Sequence, residues 1–403
     1  MRVLIAFDKF KGALGAAEAC DVVAGALRRA RPGWELDVAP LADGGDGFCR
    51  ILTQAAAGAL REERVSTTVF PGAGQAEQHA VPLGWVELER LPPAARARLE
   101  LPASARHLAL VELAAVNGLA QLPLAQRDVW RSSTRGTGEL IALAAAAGAD
   151  AVLLGVGGSA TSDLGLGALA ALGWRFEAHS GAVLDPPLPS LWPQIARIAG
   201  GARALPPLRI ACDVQNPLLG PAGAAAVYGP QKGLKAQDLP RFEAEAERLA
   251  RLLCEHAGCE LDVLQQPGAG AAGGIAFGLA VGAGARLVAG FELVAEWLDL
   301  SARLERADLV ISGEGRFDAT SFAGKGPGTL AREATRRGRR CAIFAGSVED
   351  SLVPKEGLEL LAISPAQLPL EAALRSTAEH LSRAVGDWLA TSVDGEEFQR
   401  ARS

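Results

Sequence analysis

The sequence predicts an α/β fold built on doubly wound parallel sheets, and three observations predict it. Short continuous apolar runs alternate with amphipathic helical stretches. The runs tend to end in glycine followed by an acid or a small hydroxyl residue. This rhythm is clear near both ends of the chain and irregular in the middle. Parallel strands are covered on both faces, so they read as unbroken apolar runs, and strands alternating with helices imply βαβ units.

Val3 to Ala6 is the first run, leading through Asp8-Lys9-Phe10-Lys11-Gly12 to a helical pattern from about Ala16 to Ala30, stopped by Pro32-Gly33. Glu35 to Ala39 reads as a second strand ending at Asp43-Gly44-Gly45-Asp46-Gly47, with a helix over about Phe48 to Ala57. From Val65 to about His107 proline, glycine and charge are mixed, a pattern of short antiparallel strands. Leu108 to Val111 is again a strand, followed by a helix over Thr137 to Ala147. The strand Ala151 to Leu154 then meets a glycine-rich turn that opens a helix over Leu164 to Leu172. Leu208 to Ala211, a charged helix from Asp238 to Ala257 and a glycine-rich stretch at Gly268 to Gly284 complete the middle. The rhythm returns with the strand Asp308 to Ile311, ending in a turn Gly313-Glu314-Gly315-Arg316, and a helix over Thr329 to Arg337. Strands at Cys341 to Gly346 and Leu358 to Ile363 precede an amphipathic helix over Glu371 to Leu389 and a polar tail. The simplest division is a discontinuous domain, 1–64 with 289–403, and a second α/β domain, 65–288, inserted in it.

The bulk numbers suit this. A chain of 403 residues with 49% apolar and 21% charged residues is globular and long enough for two or three domains. A net charge of −6 argues against a nucleic-acid surface. The basic cluster Arg332 to Arg340 lies at a predicted helix end, where it reads as a solvated face near a favourable dipole. Cysteines 20, 49, 212, 254, 259 and 341 make no CxxC pair and no zinc spacing, as expected of idle thiols in a reducing compartment. The apolar run at Met1 is too short for a signal peptide, and no run has membrane-spanning character. The expectation is a cytoplasmic protein with small-molecule partners, without nucleic acid or membrane, and with a homo-oligomer left open.

Five segments share one design, in which a strand end delivers glycine, acid or hydroxyl to the crevice where α/β sheets bind ligands. Gly155-Val156-Gly157-Gly158-Ser159-Ala160-Thr161-Ser162-Asp163 can offer backbone amides, two hydroxyls and a helix N-terminus to phosphate, or can serve tight packing alone. Asp43-Gly44-Gly45-Asp46-Gly47 suits Mg²⁺, which takes one or two carboxylates beside phosphate oxygens; alternatively Asp46 caps the next helix. Gly313-Glu314-Gly315-Arg316-Phe317-Asp318 with Gly324-Lys325-Gly326 puts acids and cations together for phosphoryl charge, or forms a salt-bridged turn. Cys212-Asp213-Val214-Gln215-Asn216-Pro217 with Gly229-Pro230-Gln231-Lys232-Gly233 places an acid past a strand and a lysine in a loop, free to reach an anion. Ser132-Ser133-Thr134-Arg135-Gly136-Thr137-Gly138-Glu139 leads into a helix, partly as an N-cap. No nucleophile–base grouping and no histidine pair is visible, so phosphoryl transfer, which needs positioning and charge stabilisation, fits best. A nicotinamide-dependent oxidoreductase would need a Gly-x-Gly-x-x-Gly after an early strand, which is missing.

Taken together these segments resemble the glycerate kinase family of bacteria. The matching stretches are Asp8 with Phe10-Lys11-Gly12, Ala42 to Gly47, Gly136 to Ile141, Gly157 to Thr161 and Asp213 with Asn216 to Gly220. Gly229 to Gly233, Pro267 to Gly274, and Gly313 to Arg316 with Asp318, Gly324 and Lys325 complete the set, in family order over nearly the whole chain. The resemblance implies ATP- and Mg²⁺-dependent phosphorylation of D-glycerate. It also implies a flavodoxin-like domain from both termini, an inserted α/β domain, and a site in the cleft between them. On that reading Gly157, Gly158, Ser159, Thr161 and Lys325 cradle nucleotide phosphates, and Asp43 or Asp318 holds the metal. Asp8, Lys11 and Arg316 face the substrate or the transferred group. Asp213 accepts the hydroxyl proton with Lys232 nearby, and Asp318 is the second candidate for that role. Phe7 and Lys9 stand where the family has proline and serine, a departure that bears on which acid is preferred. A kinase for another small hydroxy acid and a non-catalytic glycerate or nucleotide sensor are the rival readings.

Overall fold

The computed structural model describes residues 1–67, 77–323, 326–353, 356–365 and 367–392. Two strands open the chain, β1 (Arg2–Phe7) and β2 (Glu35–Val38). Eight follow: β3 (Ala59–Thr67), β4 (Glu77–Glu87), β5 (His107–Glu112), β6 (Ala151–Gly155), β7 (Trp174–Ala178), β8 (Ile195–Gly200), β9 (Leu208–Cys212) and β10 (Arg286–Ala289). Three close the chain, β11 (Leu309–Phe317), β12 (Arg340–Val348) and β13 (Leu358–Ala362). The chain is α/β, and it divides into two compact units, Met1–Ala42 with Val294–Ser403, and Asp43–Leu293.

In the unit formed by the two chain ends, all the described strand pairs are parallel, in the order β13-β12-β11-β1-β2. Counted within this sheet the order is 2-1-3-4-5, a doubly wound arrangement whose switch point lies between β1 and β11. Val3, Ile5, Phe7, Leu309, Ile311, Ala342 and Phe344 pack with Val23 and Leu27 of the helix Ala16–Ala30 and with Leu381, Val385 and Trp388. The run Gly313 to Arg316, expected as a turn, is strand. β11 keeps its pairing with β12 through Phe317↔Val348, well past the end of β1. Gly313 permits this, because a Cβ there would overlap the carbonyl oxygen of Phe344. The C-terminal helix is broken into Leu370–Arg375 and Thr377–Ser392. Thr377 Oγ1 donates to the Ala373 carbonyl at 3.0 Å, a local bond that competes with regular helix. The basic cluster is satisfied by partners: Arg336 and Arg337 bind Glu333, and Arg340 binds Glu359.

The second unit holds a six-stranded sheet in the order β10-β9-β6-β5-β4-β3. β10, β9, β6 and β5 run parallel, and β4 and β3 add an antiparallel edge. β6 is buried throughout, and β5 is buried from Leu108 onward, as strands covered on two faces must be. The antiparallel strands are long, not short, and the edge strand β3 carries Arg61, Glu62, Glu63 and Arg64, charges that blunt an open edge. The buried Arg209 in β9 donates to the carbonyls of Leu99 and Glu100, both at 2.6 Å. β7 and β8 form a separate antiparallel pair. Neither they nor β10 were expected from the apolar pattern. Among the described residues no helix is long and apolar enough to cross a membrane.

Candidate active site

In the second unit the carboxyl ends of the neighbouring strands β9, β6 and β5 carry the residues of interest. The loop after β6 is pressed against the Asp43–Gly47 turn. Gly157 N–H donates to the Gly44 carbonyl at 2.9 Å. A Cβ on Gly157 would lie 2.7 Å from Gly45 Cα, so only glycine allows this approach. Gly44 in turn sits over two strand ends, where its Cβ would be 3.0 Å from the Ala211 oxygen and 3.7 Å from Val156 N. Gly158, Ser159 and Ala160 contact the segment after β5: Leu119 N–H donates to the Gly158 carbonyl, and Ala160 N–H to the Asn117 carbonyl, each at 2.8 Å.

Asp43 is exposed and accepts from Gly45 N–H at 3.1 Å. The next helix, Phe48–Ala55, is held by Glu112, not capped by Asp46. Glu112, at the end of β5, accepts from Gly47 N–H at 3.1 Å and Cys49 N–H at 3.0 Å. The helix N-terminus expected to face a ligand behind the glycine-rich turn is taken up in the same way. That helix is Leu166–Ala171, and the buried carboxylate of Asp163 accepts from Gly165 and Gly167 N–H, each at 3.1 Å. Asp163 also accepts from Thr134 N–H at 2.7 Å and Thr134 Oγ1 at 2.9 Å. Burial raises the Asp163 pKa, and donation from Thr134, Gly167 and Gly165 pulls it down. The hydroxyl-rich lead-in to the helix Arg135–Ala146 therefore ties two helices through one carboxylate.

Lys232 was expected as a free cation in a loop, and it is neither free nor exposed. It ends a short 3-10 turn, is 3% exposed, and donates from Nζ to Ser159 Oγ at 2.8 Å and to the Thr161 carbonyl at 2.7 Å. Burial lowers its pKa to about 7, against the raising effect of the Asp163 charge. Gly233 forces this placement, because it packs against the Arg127 backbone with φ +92. Asp213, half-buried after β9, accepts from Phe291 N–H at 2.8 Å at the start of the helix Gly290–Trp297. Asn216 is committed to structure: its Nδ2 donates to the Ala222 carbonyl, and its Oδ1 accepts from the Tyr228 hydroxyl.

Three buried polar atoms on these segments find no hydrogen-bond partner among the described residues: Asn117 Nδ2, Thr161 Oγ1 and Ser162 Oγ. Each such atom costs about 1–3 kcal/mol, and native cores hold few. Their concentration beside a glycine-lined strand-end loop has the character of a binding site for an oxygen-rich anion, and a nucleotide's phosphates fit that chemistry. Among the described residues no three His, Cys, Asp or Glu side chains group to hold a metal. A magnesium ion shared with phosphates needs only one or two protein carboxylates, and the exposed Asp43 suits that.

The first unit carries the other expected residues at its β1/β11 switch point. Asp8 follows β1, with its N–H donating to the Gly313 carbonyl at 2.9 Å and its carboxylate accepting from Lys9 N–H at 2.7 Å. Lys11 is exposed, and a Cβ on Gly315 would lie 3.3 Å from its backbone nitrogen. Arg316 pairs with Asp318 at 3.2 Å. Asp318 also accepts from Thr320 Oγ1 at 2.5 Å and Thr320 N–H at 2.9 Å, and these bonds, Thr320's hydroxyl foremost, lower its pKa. Lys325 and Gly324 lie outside the described residues. Sequence reasoning missed Glu112, Asn117 and Asp163 as site residues. Glu112 carries the signal used for Asp213, an acid at or just beyond a strand's carboxyl end, whereas Asp163 lies at the far end of the loop after β6.

A family model described as Glycerate kinase family matches residues 3–392. The chain is 35% identical over 400 residues to the glycerate kinase of Bacillus subtilis, covering 98% of each chain. It is 31% identical over 409 residues to the glycerate 2-kinase of Escherichia coli, covering 98% of this chain and 99% of that one. It is similar to the crystal structure of a protein assigned as glycerate kinase 2 from Salmonella typhimurium LT2, with a TM-score of 0.72 and 33% identity over 98% of this chain and 99% of that one.

Proposed function

The chain belongs to the glycerate kinase family, and from that membership we propose that it transfers the terminal phosphoryl group of ATP to D-glycerate with Mg²⁺. The observation that carries the nucleotide half of this reading is the glycine-lined loop at the ends of β5, β6 and β9, with its uncompensated hydroxyls. Gly157 and Gly158 let backbone approach phosphoryl oxygens, Ser159 and Thr161 line the same loop, and Lys325 adds a cation. Asp43 or Asp318 holds the metal, which when bound neutralises charge building on the phosphoryl oxygens. Asp8, Lys11 and Arg316 hold and orient the acid substrate.

Asp213 is assigned the proton of the attacking hydroxyl. Asp318 is the second candidate, because Thr320 and Arg316 stabilise its ionised form, and a carboxylate kept ionised suits a metal better. The cytoplasm as working compartment belongs to the same reading, supported by six cysteines without disulfides.

The test is ADP release by the purified chain, expected only when D-glycerate and Mg²⁺ are both present. A different hydroxy acid turned over about tenfold more efficiently would move the substrate assignment. No turnover of any acid would retire the kinase reading. Asp213→Asn keeps an acceptor for Phe291 N–H, so its melting temperature should hold while kcat falls by about 10²–10⁴. Near-normal kcat would end the candidacy of Asp213 and turn attention to Asp318.

A further inference from the structure

We propose that Lys232 and Asp163 are positioning residues, a buried brace that fixes the glycine-rich loop in the shape through which it engages phosphates. The inference rests on the phosphate-binding reading of that loop given above.

The loop is gripped at two places by groups that ligand could not easily reach. Lys232 comes from a distant segment and is 3% exposed, and its two hydrogen bonds fall on Ser159 and Thr161, either side of Ala160. Its own segment is anchored in turn. Lys232 N–H donates to the Gly229 carbonyl at 2.9 Å, and Arg127 donates to the Gln231 carbonyl at 3.1 Å. At the loop's far end Asp163, 1% exposed, gathers four donors from Thr134, Gly165 and Gly167. Asp163 supplies the negative charge that acts on Lys232, and Arg127 is the cation bonded to the neighbouring residue Gln231.

Between these grips the loop's own side chains do little to hold it, since Thr161 Oγ1 and Ser162 Oγ bond no partner among the described residues. Backbone bonds tie the loop to Gly44, Asn117, Leu119 and Ser132 Oγ, and the side chains that fix its shape beyond these are one buried cation and one buried carboxylate from outside it. A lysine that spends two N–H groups on the loop while sealed from solvent acts through the loop and not by touching the reacting groups.

The experiment is Lys232→Met in the full chain, with Ser159→Ala as a second, milder variant. Methionine fills the site without charge but takes the donor away from Ser159 Oγ and the Thr161 carbonyl, so the melting temperature is expected to fall, and both readouts are taken well below it. Amide hydrogen exchange over 157–163 should speed by about tenfold, while the β5 and β6 amides keep their protection. The KM for ATP should rise by about 10- to 100-fold, the worth of hydrogen bonds to a charged group, with the KM for D-glycerate held. Ser159→Ala should move both readouts the same way by less, and adding it to Lys232→Met should cost little more. Unchanged exchange and unchanged KM for ATP would overturn the brace. So would normal exchange with a collapsed kcat, which would make Lys232 a direct catalytic group. If Lys232→Met does not fold, Ser159→Ala decides by the same two readouts. A wild-type protein that turns over no ATP would remove the phosphate reading, and the exchange comparison would still judge the brace.

Discussion

Glu112, at a strand end, and Asp163, in a loop, do similar work: each is a carboxylate buried from solvent that collects backbone N–H groups at a helix start. Buried acids survive by such donation, because desolvation penalises the charged form and hydrogen bonds to it compensate. Lys232 has less compensation, and its protonation feeds directly into stability. In the unfolded chain it titrates at its ordinary value of 10.5, and in the folded protein at about 7. Between these values the unfolded state binds more protons, so this residue makes stability rise with pH across that window. Below about pH 7 both states are protonated and the full cost of burying the ammonium remains. The neutral amine still has two N–H groups, enough for Ser159 and Thr161. Urea titrations should therefore show wild type gaining on Lys232→Met as pH climbs from about 7 to about 10, with a constant difference below. Parallel curves over the whole range would mean that Lys232 keeps its charge in the fold. The sequence shows a lysine between Gln231 and Gly233 in what reads as a loop; its burial depends on the Gly233–Arg127 contact, which no local pattern reveals.

Local pattern serves better for whole elements, with instructive failures. The runs that became β1, β5, β6 and β9 are legible because strands covered on both faces must be apolar throughout. β11 is legible only in its first half. Gly313-Glu314-Gly315-Arg316 has turn composition, yet Gly313 answers to a close contact with β12 and Gly315 to the Phe10–Lys11 backbone, not to a bend. Gly313→Ala would drive a methyl group into the Phe344 carbonyl, and such overpacking costs about 1–3 kcal/mol or more. Gly386 is the opposite case. It lies in the helix Thr377–Ser392, and a Cβ there meets nothing within 4 Å. Gly386→Ala should raise stability by about 0.5–1 kcal/mol, the helix-interior difference between the two residues. Thermal melts of the two variants should shift in opposite directions. A Gly313→Ala protein as stable as wild type would show that β11 and β12 separate more easily than their register suggests.

At the scale of the molecule, α/β class is readable because strand and helix periods alternate, while the extent of the central sheet is not. β3 hides behind four consecutive charges appropriate to an edge, and β10 presents Arg286 and Leu287 to solvent. Neither offers an apolar run. Two buried clusters each fall within one unit. One cluster, from Val65 to Ala285, draws every member from Asp43–Leu293, and another draws only on the chain ends, from Val3 to Leu389. A segment with its own sheet and its own buried cluster meets the physical requirement for folding alone. The relevant fragment runs from Asp43 to Trp297, so that the helix Gly290–Trp297, whose first turn donates to Asp213, stays whole. Made by itself, this fragment is expected to unfold in one cooperative denaturant transition and to show a structured near-ultraviolet circular dichroism spectrum. The loop after β6, the Lys232 brace and the Glu112-held turn all lie within it, so the exchange protection of 157–163 should match that of the full chain. A fragment with helical signal but no near-ultraviolet structure and strong dye binding would be a molten globule. That outcome would mean the central core needs the chain ends to reach its packed state.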